Sequence, residues 1–276
     1  MRRILIALSA CVTILSSCQK EVSFDLGNSG NGNSSGSLLT KLVSTDGTDS
    51  VVNNYSYNSS GKLIAIISSG VDSTGTFYSN QNIIRNSKSI IQQIVTKSSY
   101  YSQYGIDSVI TNVHYNSSSS QYTSYVTNIN YLGMILRDSV AFTYDGNGKV
   151  ITETDYSDGG IGSYSISGKD DLGYTGNNLT SIKSSSYNSG TYTLDYSETV
   201  QYDSKTSPLI LGNESLVISL FDWYSPNNPA QLTTTNTGSS PQTVSYSYTY
   251  NTNNKPVSSK IIQAGTTAGT ISYYYN

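Results

Sequence analysis

The sequence predicts an all-β protein, an antiparallel meander of repeated hairpins that forms one large twisted or curled sheet, with one short helix near residues 213–224. Three observations lead to this prediction. Apolar and polar residues alternate with period two in many segments, turn-forming Asn, Asp and Gly recur between those segments, and Tyr occurs 25 times in 276 residues. Because strands joined by short turns usually pair with each other, we expect the strands to follow chain order across the sheet.

The composition excludes several classes of function. The chain carries 15 Lys and Arg against 18 Asp and Glu, a formal charge of −3, and charged residues make up only 12%. A nucleic-acid binder needs clustered Lys and Arg to neutralise phosphates, and we therefore expect no nucleic-acid partner.

The first residues are typical of an exported lipoprotein. Arg2 and Arg3 precede an apolar run of about twelve residues, 4–15, which is too short to span a bilayer but suits a signal peptide. The run ends in Leu-Ser-Ser-Cys at Cys18, which resembles a bacterial lipobox. We predict that residues 1–17 are removed and that Cys18 is lipidated and attaches the protein to a membrane. The alternative is an ordinary secretory signal that happens to contain cysteines.

Residues 18–37 are predicted to form the lipidated Cys and a Gly, Ser and Asn-rich tether, and residues 38–276 the β-hairpin-repeat domain. About 16 residues of such a coil have an r.m.s. reach of roughly 20–25 Å. The segment Cys18-Gln19-Lys20-Glu21 resembles the short signal that directs Bacteroidota lipoproteins to the outer face of the outer membrane. We therefore expect an outer-membrane location with exposure at the cell surface. Because Cys11 leaves with the signal peptide, the mature domain has no thiol for a disulfide, a nucleophile or a thiolate metal site.

A repeated phrase organises the rest of the chain. It reads apolar-x-apolar-x-Tyr-[Asn/Asp]-x-x-[Gly/Asn]-Lys, and its clearest copies place the Asn or Asp at positions 58, 116, 145 and 251. The first half alternates like a half-buried strand, and the second half is turn chemistry, since Asn or Asp caps a turn and Gly or Asn tolerates positive φ. Each copy therefore predicts a β-hairpin.

The tyrosines form one face of the predicted strands, and two interpretations of that face stay open. In residues 246–250 tyrosines alternate with Ser and Thr, so the hydroxyl residues would cover the wet face. The tyrosine face is either the core or a surface that binds sugars or polar peptides, because Tyr both stacks and hydrogen-bonds. The candidates for exposed aromatic residues are Tyr100, Tyr101, Tyr104, Trp223 and Tyr224.

One segment interrupts the alternation and predicts the helix. Leu216, Val217, Leu220 and Tyr224 have helical spacing, Asn213 is a candidate N-cap, and Glu214 favours the positive end of the dipole. Another buried strand is the alternative.

The hairpin phrases at residues 57–63 and 144–150 resemble the YD repeats of RHS-type proteins. Over nearly the whole mature chain, the lipobox, the hairpins, Tyr202-Asp203-Ser204-Lys205-Thr206-Ser207-Pro208 and the later Asn227-Asn228-Pro229 together resemble a group of uncharacterised Bacteroidota lipoproteins. Ser207 replaces the Asn that this group tends to have before the proline. The resemblance implies the fold and the location but no activity.

No residue pattern predicts an enzyme, a cofactor or a metal. His114 is the single histidine and lies at opposite parity to Val113 and Tyr115, which predicts a solvent-facing side chain. Asp145-Gly146-Asn147-Gly148 looks like the start of a calcium loop, but Lys149 stands where a further oxygen ligand is required. A glycoside hydrolase would need two paired carboxylates, and the available acids are Glu153, Asp155, Asp158, Asp170, Asp171, Asp195, Glu198, Asp203, Glu214 and Asp222.

The sequence therefore predicts a lipid-anchored cell-envelope module that binds a glycan or protein ligand and is not an enzyme. A purely structural envelope component is the alternative, and an envelope glycan hydrolase is a remote one.

Overall fold

The computed structural model describes residues 38–72, 75–158, 162–218 and 224–276. Within them the chain forms sixteen strands and two short helices. The strands are β1 Leu39–Thr45, β2 Ser50–Tyr57, β3 Leu63–Asp72, β4 Gly75–Arg85, β5 Ile91–Ser98, β6 Val109–Tyr115, β7 Tyr122–Tyr131, β8 Met134–Tyr144, β9 Val150–Ser157, β10 Ser165–Thr175, β11 Asn178–Asn188, β12 Thr191–Thr206, β13 Asn227–Asn236, β14 Gln242–Tyr250, β15 Pro256–Gln263 and β16 Thr266–Tyr275. The helices are α1 Ser99–Ser102 and α2 Glu214–Ile218.

The meander is confirmed, but the expected open sheet is wrong. Every strand pairs antiparallel with its chain neighbours, and β1 also pairs with β16, so that the sheet closes into a barrel. An open sheet would leave the backbone groups of β1 and β16 unpaired at two edges, and closure removes both edges.

The two ends of the barrel differ, and we name them by what they carry. The plug end holds the turns after the even-numbered strands β2 to β14. Between β12 and β13 it holds residues 207–218 and 224–226, which we call the plug. Leu38 and Asn276 also meet there, since Leu38 N donates to Asn276 Oδ1 at 2.8 Å and Asn276 N donates to Leu38 O at 3.1 Å. The far end holds the turns after the odd-numbered strands.

The core lies inside the barrel. One hydrophobic cluster joins Ile94 on β5 to Leu232 on β13 and includes the plug residues Leu211 and Val217. Strands β5 and β13 are eight positions apart among sixteen and thus lie on opposite walls. Sixteen-stranded porins enclose a water-filled channel, whereas here apolar side chains from opposite walls and from the plug belong to one core.

The helix prediction is confirmed in part. The helix α2 spans Glu214–Ile218, where Leu216 and Val217 are buried as expected. Leu220 lies outside the described residues. The second helix, α1, was not predicted, because four residues are too few to show helical periodicity.

Candidate functional site

The predicted hairpin turns form as expected, each around a capping side chain. Asn58 Oδ1 accepts hydrogen bonds from Ser60 N and Lys62 N, and Asp145 Oδ1 accepts from Asn147 N and Lys149 N. The residue before each Lys has positive φ, with values of 73° at Gly61 and 80° at Gly148. The Asp145 turn is therefore a hairpin turn with its carboxylate used by backbone donors, as the sequence indicated.

Tyrosines at the plug end fasten six pairs of neighbouring strands from inside the barrel. Six hydroxyls donate to a carbonyl at or near the start of the preceding strand, over 2.6 to 2.9 Å. We call these contacts tyrosine latches. The pairs are Tyr57 with Leu39, Tyr144 with Tyr122, Tyr174 with Val150, Tyr202 with Leu179, Tyr248 with Pro229, and Tyr275 with Pro256.

The latches decide between the two interpretations of the tyrosine face. Tyr55, Tyr246 and Tyr273 are buried, and the outward Ser247 and Thr249 are exposed. Burial raises the pKa of Tyr57, Tyr144 and Tyr174 above its usual range, and it raises that of Tyr224 to about 12. The tyrosine face is the core of the barrel.

Arg85 takes the latch position on β4, which the sequence reading missed. Its Nε donates to Leu63 O at 3.0 Å, the first carbonyl of β3, and its Nη1 and Nη2 bind the Glu214 carboxylate at 2.8 and 2.7 Å. Both side chains are buried, at 5% and 15% exposure. The signal was present, because Arg85 precedes Asn86 as Tyr precedes Asn in the other copies of the repeat.

The plug is fixed to the barrel by polar contacts on two sides. Gln81 Nε2 donates to Ile218 O at 3.3 Å on one side, and Leu179 N donates to Ser225 Oγ at 2.9 Å on the other. The predicted cap residue Asn213 instead accepts the Tyr224 hydroxyl at 2.8 Å. Tyr224 is fully buried, so that it belongs to the core rather than to a binding surface.

The candidate carboxylates divide into a group on the inner wall of the barrel and a group that binds neighbouring side chains. Glu153 and Asp170 face each other across β9 and β10 on the inner wall, where Asp155 and Glu198 also point by strand alternation, and Glu153 is 3% exposed. The others bind neighbours: Asp158 with Arg137, Asp171 with Lys169, Asp195 with Ser186, Asp203 with Asn228 and Tyr250, and Glu214 with Arg85. Asp222 lies outside the described residues.

In the part of the chain that the structure describes, no group of three His, Cys, Asp or Glu side chains could hold a metal ion. The absence of enzyme activity stays a prediction.

The candidate binding site lies on the outer wall, across β5, β6, β7 and β8. It is a groove of about 680 Å³, which we call the outer-wall groove. Its lining comprises Gln92, Asn112, Val113, His114, Tyr115, Val126, Asn128, Arg137 and Tyr164. His114 is exposed on this wall, as its parity predicted. Arg137 and Tyr164 were not singled out from the sequence, because no local pattern shows that the connection after β9 returns to β8.

That connection holds one side of the groove in place. Asp158 N donates to Arg137 O at 3.1 Å, and Arg137 N donates to Asp158 Oδ1 at 3.2 Å. The Asp158 carboxylate also lies 3.5 Å from Nη1 of Arg137. Burial and then Asp158 raise the pKa of Tyr164, while Arg137 lowers it. Tyr164 and Arg137 line the groove together.

Of the remaining aromatic candidates, three lie among the described residues and one does not. Tyr100, Tyr101 and Tyr104 pack together at the far end, with ring centroids 5.4 and 6.2 Å apart, and Tyr104 is 41% exposed. Cys18 and Trp223 lie outside the described residues. No helix in the described residues has the length and apolar character needed to cross a membrane.

These features define a sixteen-stranded antiparallel barrel with a packed, plugged interior. Two solved structures share the fold. A porin-like protein from Bacteroides uniformis ATCC 8492 matches 86% of this chain and 96% of its own, with a TM-score of 0.53 and 14% identity. A porin-like protein from Bacteroides vulgatus ATCC 8482 matches 87% of this chain and 99% of its own, with a TM-score of 0.53 and 13% identity. At such identities the likeness shows the fold alone. No protein-family model and no curated protein matches the chain.

Proposed function

We propose that this protein is a lipid-anchored envelope barrel that stands outside the bilayer and binds a ligand on its surface. Cys18 would carry the lipid, residues 18–37 would form the tether, and the barrel of residues 38–276 would be the binding module. The tether enters at Leu38, on the plug end, so the far end is free to point away from the membrane. The short segment after Cys18 supports an outer-membrane position facing the outside.

The character of the outer wall is the observation that carries the proposal. Membrane-spanning barrels turn apolar side chains outward to lipid and polar ones inward. Here the main hydrophobic cluster lies inside the barrel. The outer wall is mixed: Ile64, Ile84 and Val257 are exposed on it, whereas one outward row across β11 to β14 consists of hydroxyl residues alone, Ser181, Thr199, Thr233 and Thr243. Thr233 and Thr243 hydrogen-bond each other at 3.0 Å. Such a wall suits water, and a lipid anchor would supply the membrane attachment that the wall does not.

The packed interior favours a surface function over a pore. The core cluster joins opposite walls, and the plug is held on two sides of the plug end. A ligand would therefore bind on the outside of the barrel.

Cell fractionation of the wild type and of Cys18→Ala tests the anchor. The wild type should separate with the membranes, and the variant should appear in the soluble fraction without detergent. A variant that stays in the membrane fraction would contradict the anchor and the water-facing wall together.

A planar-bilayer recording with the purified Cys18→Ala protein tests the second part. We expect no stepwise conductance, because the hydrophobic core joins opposite walls and includes residues of the plug. Discrete conductance steps would show a pore and overturn the proposal. A purely structural envelope component remains the alternative function, and ligand binding separates the two.

A further inference from the structure

The outer-wall groove has a charge that differs from that of the whole protein. Its lining contains Arg137 and His114, and no Asp or Glu belongs to the described residues that line it, although the chain carries a formal charge of −3. Asp158 lies behind Arg137 and is 2% exposed, whereas the Arg137 side chain is 39% exposed. The groove therefore offers a cation to solvent on an acidic protein.

The other lining groups suit a polyhydroxylated ligand. Gln92, Asn112 and Asn128 carry amides that both donate and accept hydrogen bonds. Tyr164 is 45% exposed and offers a ring for stacking, and Val126 contributes an apolar surface. Amides, an aromatic ring and a small apolar area are complementary to the hydroxyl edges and C–H faces of sugar rings.

The register gives the groove its length. Asn128 pairs with Arg137 across β7 and β8, Asn112 pairs with Val126 one row further, and His114 pairs with Ser124 beyond that. His114 and Arg137 are thus two strands and four residues apart along the wall, about 16 Å from the strand spacing and rise. That span accommodates more than one sugar ring.

Arg137 is also held in place before any ligand arrives. Asp158 bonds both backbone groups of Arg137 and lies 3.5 Å from its Nη1. A guanidinium has five donors in a fixed fork, and such a fork binds carboxylate, sulfate or phosphate groups through two bonds. The two backbone bonds fix the position of Arg137, and the contact of Asp158 with Nη1 restricts the side chain, which reduces the entropy lost on binding.

We infer that the outer-wall groove binds an anionic oligosaccharide. Arg137 binds the acidic group, Tyr164 stacks on a sugar ring, and the amides of Asn112 and Asn128 bind hydroxyls. This inference rests on the proposed function and names its ligand class. The acidic group is a carboxylate or a sulfate, since the fork accepts both.

Isothermal titration of the full-length Cys18→Ala protein tests the inference with three probes. These are hexagalacturonic acid, a heparin hexasaccharide and neutral maltohexaose. We expect one or both acidic probes to bind, with an affinity that falls as salt rises, and maltohexaose to bind at least about tenfold more weakly. The stronger acidic probe identifies the acid as carboxylate or sulfate. Silence of both acidic probes, or equal binding of maltohexaose, overturns the inference.

Three variants locate the site. In the Cys18→Ala background, Arg137→Gln and Tyr164→Ala should each weaken the acidic probe about tenfold or more. Arg137→Gln also removes the cation that Asp158 pairs with, so a second variant is needed that keeps the positive charge. Arg137→Lys keeps the charge but loses the forked guanidinium, and it should bind the acidic probe at an intermediate level. The matched controls are Lys260→Gln and Tyr274→Ala, which remove the same groups from exposed outer-wall positions on β15 and β16.

Unchanged binding in Arg137→Gln or in Tyr164→Ala, or an equal loss in the controls, overturns the assignment to this groove. The proposed function is tested separately by fractionation and conductance, so a failed titration leaves those results intact.

Discussion

At the scale of single residues, the tyrosine latches explain why a chain with only 36% hydrophobic residues has a core. Each latch buries a ring and gives its hydroxyl a carbonyl partner, and the desolvation penalty of the hydroxyl is thereby offset.

The latch of Tyr57 gives a direct test. Tyr57→Phe keeps the ring and removes the hydroxyl that donates to Leu39 O at 2.7 Å. We expect a loss of about 1–2 kcal/mol in the free energy of unfolding, measured by urea denaturation. Tyr274→Phe is the control, because Tyr274 is 49% exposed on the outer wall, and it should change stability by less than about 0.5 kcal/mol. Equal effects of the two substitutions would show that the latch adds nothing.

The buried phenols also make stability depend on alkaline pH. Burial raises the pKa of Tyr57, Tyr144 and Tyr174, and that of Tyr224 to about 12. An acid with a raised folded-state pKa stabilises the fold below its unfolded pKa, near 10, and this contribution is lost as pH rises through the folded value. Stability should therefore fall between pH 10 and 12. Tyrosinate absorbance should show two sets of tyrosines. The exposed set titrates near pH 10, and the buried set titrates only as the protein unfolds. Titration of all tyrosines near pH 10, without unfolding, would contradict the burial.

The ion pair between Arg85 and Glu214 joins the plug to β4. Glu214→Gln leaves the Arg85 charge buried without its anion, and we expect a loss of about 3–5 kcal/mol. The double variant Arg85→Met with Glu214→Met removes both charges and should recover much of that loss, because apolar replacements of buried ion pairs are often neutral. Urea denaturation of the wild type, Arg85→Met, Glu214→Met and the double variant completes a double-mutant cycle that measures the coupling. Additive losses would show that the two charges do not interact.

At the scale of elements, hairpins with a strong local signal could be predicted and the others could not. The turns at Asn58, Asp145 and Asn251 were predicted, since a capping side chain and a positive-φ residue are local features. Asn86 caps a turn of the same kind, with Ser89 at φ 63°, but Arg85 stands there in place of the tyrosine of the repeated phrase.

The turn after β7 shows a weak local signal and carries a strain that can be removed. Leu132 has φ 51° and Gly133 φ 81°, the geometry of a two-residue type I′ turn, in which Asn-Gly is favoured. Leu132 is 76% exposed, so it gains little from burial. Leu132→Asn should raise stability by about 1 kcal/mol, read as a higher urea midpoint. Leu132→Ala keeps the unfavourable φ and is the matched control, with a change near zero. A destabilised Asn variant would show that the leucine side chain has a packing role.

At the scale of the whole molecule, the chain order of the strands could be predicted and the closure could not. The sequence of a hairpin determines the pairing of its own two strands only. Closure of the barrel depends on the summed tilt and register of all sixteen strands. The groove escaped prediction for a similar reason. His114 lies on β6, Arg137 on β8 and Tyr164 in the connection after β9, and the strand register together with the Asp158 bonds to Arg137 brings them to one groove.

Closure predicts that the ends of the barrel domain can be joined. Leu38 and Asn276 hydrogen-bond each other, and β16 pairs antiparallel with β1 as the two strands of a hairpin do. We consider a circular permutant that joins 276 to 38 by a short Gly-Ser linker and opens between Ser189 and Gly190, an exposed turn at the far end. It should fold, with a free energy of unfolding close to that of the linear domain, because exposed turns tolerate new termini.

The control permutant has the same linker and opens between Ile210 and Leu211 in the plug. Leu209 and Leu211 are buried there, and freeing their segment should lower stability by several kcal/mol through lost core packing. Circular dichroism and urea denaturation of both permutants make the comparison. If the Ser189 permutant failed to fold while the linear domain folded, β1 and β16 would not be neighbours, and the barrel would be the open sheet that the hairpins alone predict.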